Sequence, residues 1–108
     1  MKKLHIALAT SDLDASVADY SARLETAPCS VVPGAYALWR TESVNLSVRQ
    51  DRSCEPGTLR HLGWEDSAAD AFSEEKDVNG LTWERFTAAQ QAEEINRLWP
   101  NAGYDPGE

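Results

Sequence analysis

The chain contains two histidines, His5 and His61, and both sit in short segments that alternate with apolar residues. In residues 3–9, Leu4, Ile6 and Leu8 share one face of an extended segment, and His5, Ala7 and Ala9 share the other. In residues 58–65, Leu62 and Trp64 oppose His61 and Gly63. Near the C-terminus, Glu84 shares a face with Thr82 and Phe86, opposite Leu81 and Trp83. Two imidazoles and one carboxylate drawn from three strands form a 2-His-1-carboxylate set, which holds a divalent metal and leaves positions open for substrate. Neutral imidazole ligands favour Fe, Zn, Ni or Mn over Ca or Mg. Glu65, on His61's side of its strand, is a substitute carboxylate. Asn45, Ser47 and Arg49 share the polar face of a further strand and are candidates to line a substrate pocket. Taken singly, each residue has an ordinary reading: a hydrogen-bonded strand histidine, a solvated glutamate or an edge arginine.

The bulk composition limits the setting. At 108 residues there is room for one domain. A hydrophobic fraction of 42% and a charged fraction of 26% are ordinary for a globular chain. The net charge of −8 speaks against a nucleic-acid partner, because phosphate binding needs clustered Lys and Arg. No apolar run approaches the roughly 18 residues of a membrane span. The opening Met1-Lys2-Lys3 leads into too short an apolar stretch for a signal peptide, so a cytoplasmic location is expected. Cys29 and Cys54 show no CxxC spacing and are read as free thiols.

Periodicity gives the elements that must position these residues. The strand at 3–9 is followed by an amphipathic helix over 12–25, with Leu13, Val17, Tyr20 and Leu24 on one side. Ser11 and Asp14 resemble its capping box, and Pro28 ends it. Helix-poor stretches at 29–32 and 35–40 flank the turn Pro33-Gly34, and residues 43–49 alternate again. A loop over 50–57 precedes the strand at 58–65, and a short helix is expected over about 67–75. Asn79-Gly80 turns the chain into a strand from Leu81 to Phe86. Thr87 and Gln90 form a capping box for a helix reaching Leu98, which Pro100 terminates. The tail from Asn101 reads as loose. The order β-α-β-β-β, then β-α-β-α, places the chain in the α+β class with a largely antiparallel sheet.

The segment from His5 through Thr10-Ser11-Asp12-Leu13 to Tyr20 resembles the opening strand and "DLxxSxxFY" helix of the vicinal-oxygen-chelate superfamily, which unites glyoxalases, extradiol dioxygenases and bleomycin-resistance proteins. Pro33-Gly34 through Tyr36, and Val44 through Val48, are similar to the next strands. Leu59-Arg60-His61-Leu62-Gly63 resembles the "NHLG" strand that opens the second half. Asn79-Gly80 through Trp83-Glu84-Arg85-Phe86 resembles the closing "DGNxWExF" strand. The likeness covers roughly residues 4–86, and its nearest flavour is the small branch of organoarsenical lyases and cadmium-induced proteins.

The resemblance implies a glyoxalase-like βαβββ module over 1–49, a shortened second module over 58–86, a C-terminal helix over 87–99 and a tail over 100–108. Together these form a single domain, 1–108, with a curved cup-shaped sheet. It implies a metal held by His5, His61 and Glu84, with Glu84 either a pure ligand or a ligand that doubles as a catalytic base. It further implies a metal-dependent isomerase, lyase or dioxygenase acting on a small oxygen-bearing substrate, and pairing into a homodimer. The second half departs from the pattern. Only the stretch Asp66–Asn79 separates its two motif strands, so a full module does not fit and a cup of about six strands is expected instead of eight. The paired cysteines of the arsenic-binding branch are also absent. A metal-free binder of the bleomycin-resistance type is the competing reading: it expects Trp39, Trp64 and Trp83 to converge on one cavity and the two histidines to lie apart. An inactive relic of the family is the third.

Overall fold

The structure is a computed structural model and describes residues 1–107. Nine elements follow one another: β1 (Lys2–Thr10), α1 (Leu13–Leu24), β2 (Ser30–Val32), β3 (Tyr36–Arg40), β4 (Val44–Gln50), β5 (Leu59–Asp66), β6 (Ser73–Lys76), β7 (Thr82–Phe86) and α2 (Ala88–Leu98). The strands form one seven-stranded mixed sheet in the order β2-β3-β4-β1-β5-β7-β6. The α+β class holds, and no helix is long and apolar enough to cross a membrane.

The sheet reads outward from an antiparallel seam between β1 and β5. On one side, β4 runs parallel to β1 and β3 antiparallel to β4. On the other, β7 runs parallel to β5 and β6 antiparallel to β7. The second half thus repeats the pairing of the first without its helix and its outermost strand.

Each face of the sheet has its own cluster. On the face of Leu46 and Val48, α1 packs Leu13, Val17, Tyr20 and Leu24 around Trp39. On the face of Asn45 and Ser47, α2 lays Ala92 and Ile95 against Tyr36 and Leu38. The alternation of β3 and β4 feeds both clusters, as period-2 patterning requires. The α1 helix starts one residue later than the sequence suggested, because Asp12 and not Ser11 caps it, its side chain accepting from the Ala15 amide. The Thr87–Gln90 capping box of α2 is present in both directions.

Two expectations fail. The segment read as a short helix over 67–75 is a turn followed by β6, so the sheet has seven strands. Ser73–Lys76 is exposed throughout and carries no apolar alternation; it is a strand because β7 offers a ladder, and tertiary pairing overrides local preference. Over the described residues 101–107 the tail is anchored, not loose, and Glu108 lies outside them. Tyr104 is buried in the α2-side cluster, and its backbone N–H and C=O both bond to the Asn96 side chain.

Gly63 marks the tightest point between β5 and β7. A Cβ there would overlap the Glu84 backbone carbonyl, so the two strands meet as they do only because residue 63 has no side chain. Gly63→Ala is expected to destabilise the fold by about 1–3 kcal/mol, the range for forced overpacking. A urea unfolding midpoint equal to that of the parent chain would show that the strands part freely here.

Candidate metal centre

Sheet register brings the sequence candidates into one row. Across six strands, Arg40, Asn45, His5, Gly63, Glu84 and Glu74 are successive partners. His61 belongs to the next row, opposite Ala7, on the same face. Gly63 therefore stands between His5 and Glu84 and puts no side chain between them. Over that gap the three side chains meet. His5 Nε2 lies 3.0 Å from His61 Nε2, His61 Nε2 lies 3.1 Å from Glu84 Oε1, and His5 Nε2 lies 4.0 Å from Glu84 Oε1.

The ligand atoms of all three residues lie within 4.8 Å of one another, close enough for one divalent ion to engage them after a small side-chain adjustment. His5, His61 and Glu84 are the group among the described residues whose ligand atoms converge in this way. The donor set suits a divalent transition metal, so the residues present fit the ion that the resemblance implies.

Outer contacts orient the first ligand. Glu65 accepts from Arg40 Nε at 2.9 Å and Nη2 at 2.8 Å, and from Asn45 Nδ2 at 2.8 Å. A carboxylate only accepts, so Asn45 must turn its NH2 toward Glu65 and its Oδ1 toward His5. His5 Nδ1 then donates to Asn45 Oδ1 at 2.9 Å and lies 3.2 Å from the Asn45 carbonyl oxygen. Its proton is therefore on Nδ1, and the Nε2 lone pair faces the cluster. Gln91 of α2 closes the network, exchanging amide hydrogen bonds with Asn45 at 2.8 and 3.2 Å. This is the arrangement that holds metal-ligating histidines.

Burial lowers the pKa of His5 from 6.5 and outweighs the opposing hydrogen bond to Asn45, so the ring stays neutral. With His5 Nε2 as acceptor, His61 Nε2 carries the hydrogen that faces both His5 and Glu84. Among the described residues nothing bonds His61 Nδ1, so that proton has an alternative seat on the ring.

The other candidates divide. Ser47 and Arg49 line the cavity beside the cluster, whereas Asn45 is fully buried behind His5 and serves it from there. Glu65 is tied to Arg40 and Asn45 and stands outside the metal group. Trp39, Trp64 and Trp83 lie on the opposite face of the sheet, and none of them lines the cavity; Trp99 does. Trp64 and Trp83 border a second cavity together, but Trp39 does not, so the three do not meet as the metal-free reading required, and the two histidines are in contact.

Sequence reasoning missed Arg60, Gln91 and Phe72. Strict alternation puts Arg60 away from His61, but the β1–β5 register shifts there: Ala7 pairs His61 and Leu8 pairs Leu59. The extra residue, Arg60, lines the cavity with His61. Phe72 stacks on Phe86, with ring centroids 5.3 Å apart, and reaches the same cavity from the segment expected to be helical.

No family model matches the chain, and no curated protein matches it. Among solved structures it is similar to an NAD-dependent benzaldehyde dehydrogenase from Legionella pneumophila, with a TM-score of 0.55 and 12% identity over 78% of this chain and 97% of that one. At that identity the likeness concerns the fold alone.

Two outcomes follow from the Asn45 network. Asn45→Leu removes one partner of Glu65 and the shorter of the two His5 Nδ1 contacts, leaving only the residue-45 carbonyl at 3.2 Å, and should cost about 1–3 kcal/mol. Nitrogen-15 NMR of the imidazoles should show one His5 tautomer, protonated on Nδ1, in the parent chain and a measurable share of the other in the variant. An unchanged tautomer would remove Asn45 from this role. Burial would raise the Glu65 carboxyl, but its hydrogen bonds to Arg40 and Asn45 prevail and hold it below its ordinary 4.5. A depressed acid stabilises the fold fully above its unfolded value and loses that contribution as pH falls through the folded one. Stability should therefore decline below about pH 4.5, less steeply in Glu65→Gln. Parallel pH–stability curves for the two proteins would contradict this.

Proposed function

We propose that this chain is a glyoxalase-like domain of the vicinal-oxygen-chelate type that binds one divalent transition metal through His5, His61 and Glu84. It would act as a metal-dependent enzyme on a small oxygen-bearing substrate. The observation that carries the reading is the convergence of three ligand atoms from β1, β5 and β7, with His5 held in the tautomer a metal needs. The β-α-β-β-β order of the first half and the repeated strand pairing of the second support the same reading. So does the small cavity, about 140 Å³, that opens beside the three ligands.

A bound divalent ion supplies Lewis acidity toward a substrate oxygen. The chain's own residues do the rest. Asn45, aimed by Glu65, fixes the His5 ring so that Nε2 faces His61 and Glu84. His61 would serve as a ligand in the form that carries its proton on Nδ1. Glu84 would help hold the ion through its carboxylate and could take a proton from a substrate carbon or from water. Phe72 and Phe86 border the site with apolar surface, which limits the water around a reacting group. Isomerases, lyases and dioxygenases all use such a donor set. Reduced Cys29 and Cys54 are compatible with a cytoplasmic setting, and pairing of two copies belongs to the same reading.

Elemental analysis of the purified chain, after incubation with Fe, Ni, Zn and Mn in turn, should find close to one transition-metal ion per chain for at least one of them. His61→Ala and Glu84→Gln should each lose most of it while keeping the parent circular dichroism spectrum. A folded chain that takes up none of the four metals would defeat the proposal and leave the metal-free binder or the inactive relic. Native mass spectrometry of the same samples reads the oligomeric state.

A further inference from the structure

The cavity beside the cluster is also bordered by two cations, Arg49 of β4 and Arg60 of β5. Arg23, Arg40 and Arg85 each have an acidic partner. Among the described residues, by contrast, no carboxylate lies within 4.0 Å of the Arg49 or Arg60 guanidinium. Glu84 and Glu94 border the same cavity but do not reach either cation at that distance. Arg49 is held by Trp99, its guanidinium 5.3 Å from the ring centroid. Arg60 is half-buried, and it borders the same cavity as Arg49, so the two cations share one small space.

Two like charges turned into one small cavity are unfavourable unless something between them compensates. The backbone is also irregular at this point. Arg60 is the unpaired extra residue of the β5 bulge, and bulges of this kind re-aim a side chain beside a site. A regular ladder would send Arg60 to the opposite face of the sheet.

We infer that Arg49 and Arg60 bind the carboxylate of a small organic anion seated next to the His5–His61–Glu84 cluster. The inference deepens the proposed function by naming the substrate class, and it rests on that reading for the reaction. The cavity, about 140 Å³, is close to the size that accommodates benzene, so the ligand has about six non-hydrogen atoms. A singly charged carboxylate suits the site better than phosphate does. Glu84 and Glu94 border it, the whole chain carries a net charge of −8, and a second negative charge on the ligand raises the repulsion. The guanidinium fork matches a carboxylate in two parallel hydrogen bonds.

Isothermal titration of the full chain, metal-free and metal-loaded, tests the pair with pyruvate as probe. Methyl pyruvate serves as the uncharged counterpart and inorganic phosphate as the competing anion. The metal-free chain should bind pyruvate, and Arg60→Gln and Arg49→Gln should each weaken that binding at least tenfold. Methyl pyruvate should bind at least tenfold more weakly than pyruvate. Binding of pyruvate by the metal-free parent chain separates this inference from the metal reading: a chain that never takes up metal can still pass. Circular dichroism checks that both arginine variants are folded, and Arg60→Lys, which keeps the charge and loses the fork, should bind with intermediate affinity. The inference is overturned if methyl pyruvate matches pyruvate, if phosphate binds more tightly, or if both folded glutamine variants bind like the parent.

Discussion

Glu65 can only accept hydrogen bonds, and the order of the candidate site follows from that restriction. Held by the Arg40 fork, it compels the Asn45 amide to present its nitrogen to the carboxylate and its oxygen to His5. His5 must then carry its proton on the far nitrogen and turn a lone pair toward His61 and Glu84. None of this depends on the imidazoles alone. A salt bridge whose arginine and glutamate side chains are 12% and 9% exposed thus acts two hydrogen bonds away on the group that would meet a metal. Isolated, such a pair contributes modestly to stability; linked to Asn45 and Gln91, it selects one tautomer.

The second constraint is steric. The row His5, Gly63, Glu84 crosses three strands, and its middle member has no side chain. Any larger residue would collide with the β7 backbone and also occupy the space in which His5 and Glu84 approach each other. One glycine therefore brings the strands close and keeps the site open. The second half is the smaller one. It has no counterpart of α1 or of the outer strand β2, and its strands β5 and β7 carry His61 and Glu84. The parallel β5–β7 pair needs a crossover, and here the turn after Asp66 and the edge strand β6 provide it without a helix.

The cavity side of the sheet is closed by α2, which brings Gln91 to Asn45 and Ile95 to Tyr36 and Leu38. The anchored tail adds Tyr104 to the same cluster. The face that carries the candidate site is thus the face that α2 covers, and α1 on the opposite face stabilises the first half of the sheet. The result is a small, polar, partly sheltered space in an otherwise strongly acidic chain.

Alternation placed His5, His61 and Glu84 on consistent faces of three separate strands, and capping chemistry located the start of α2, because both are local properties of the chain. The α+β class follows from the order of those segments. Other features are decided between strands. Ser73–Lys76 has no strand pattern of its own and is extended only because β7 pairs with it. Arg60 looks outward in sequence and faces the cavity because the β1–β5 register slips by one residue. Asn45 reads as a pocket-lining residue, but the meeting of β4, α2 and Glu65 buries it behind His5. The sequence by itself determined which residues have the chemistry and, for His5, His61 and Glu84, on which face of each strand they stand. Only the tertiary structure decided which of them touch, since register, close approach and hydrogen-bond direction are set by the partner strand and not by the residue.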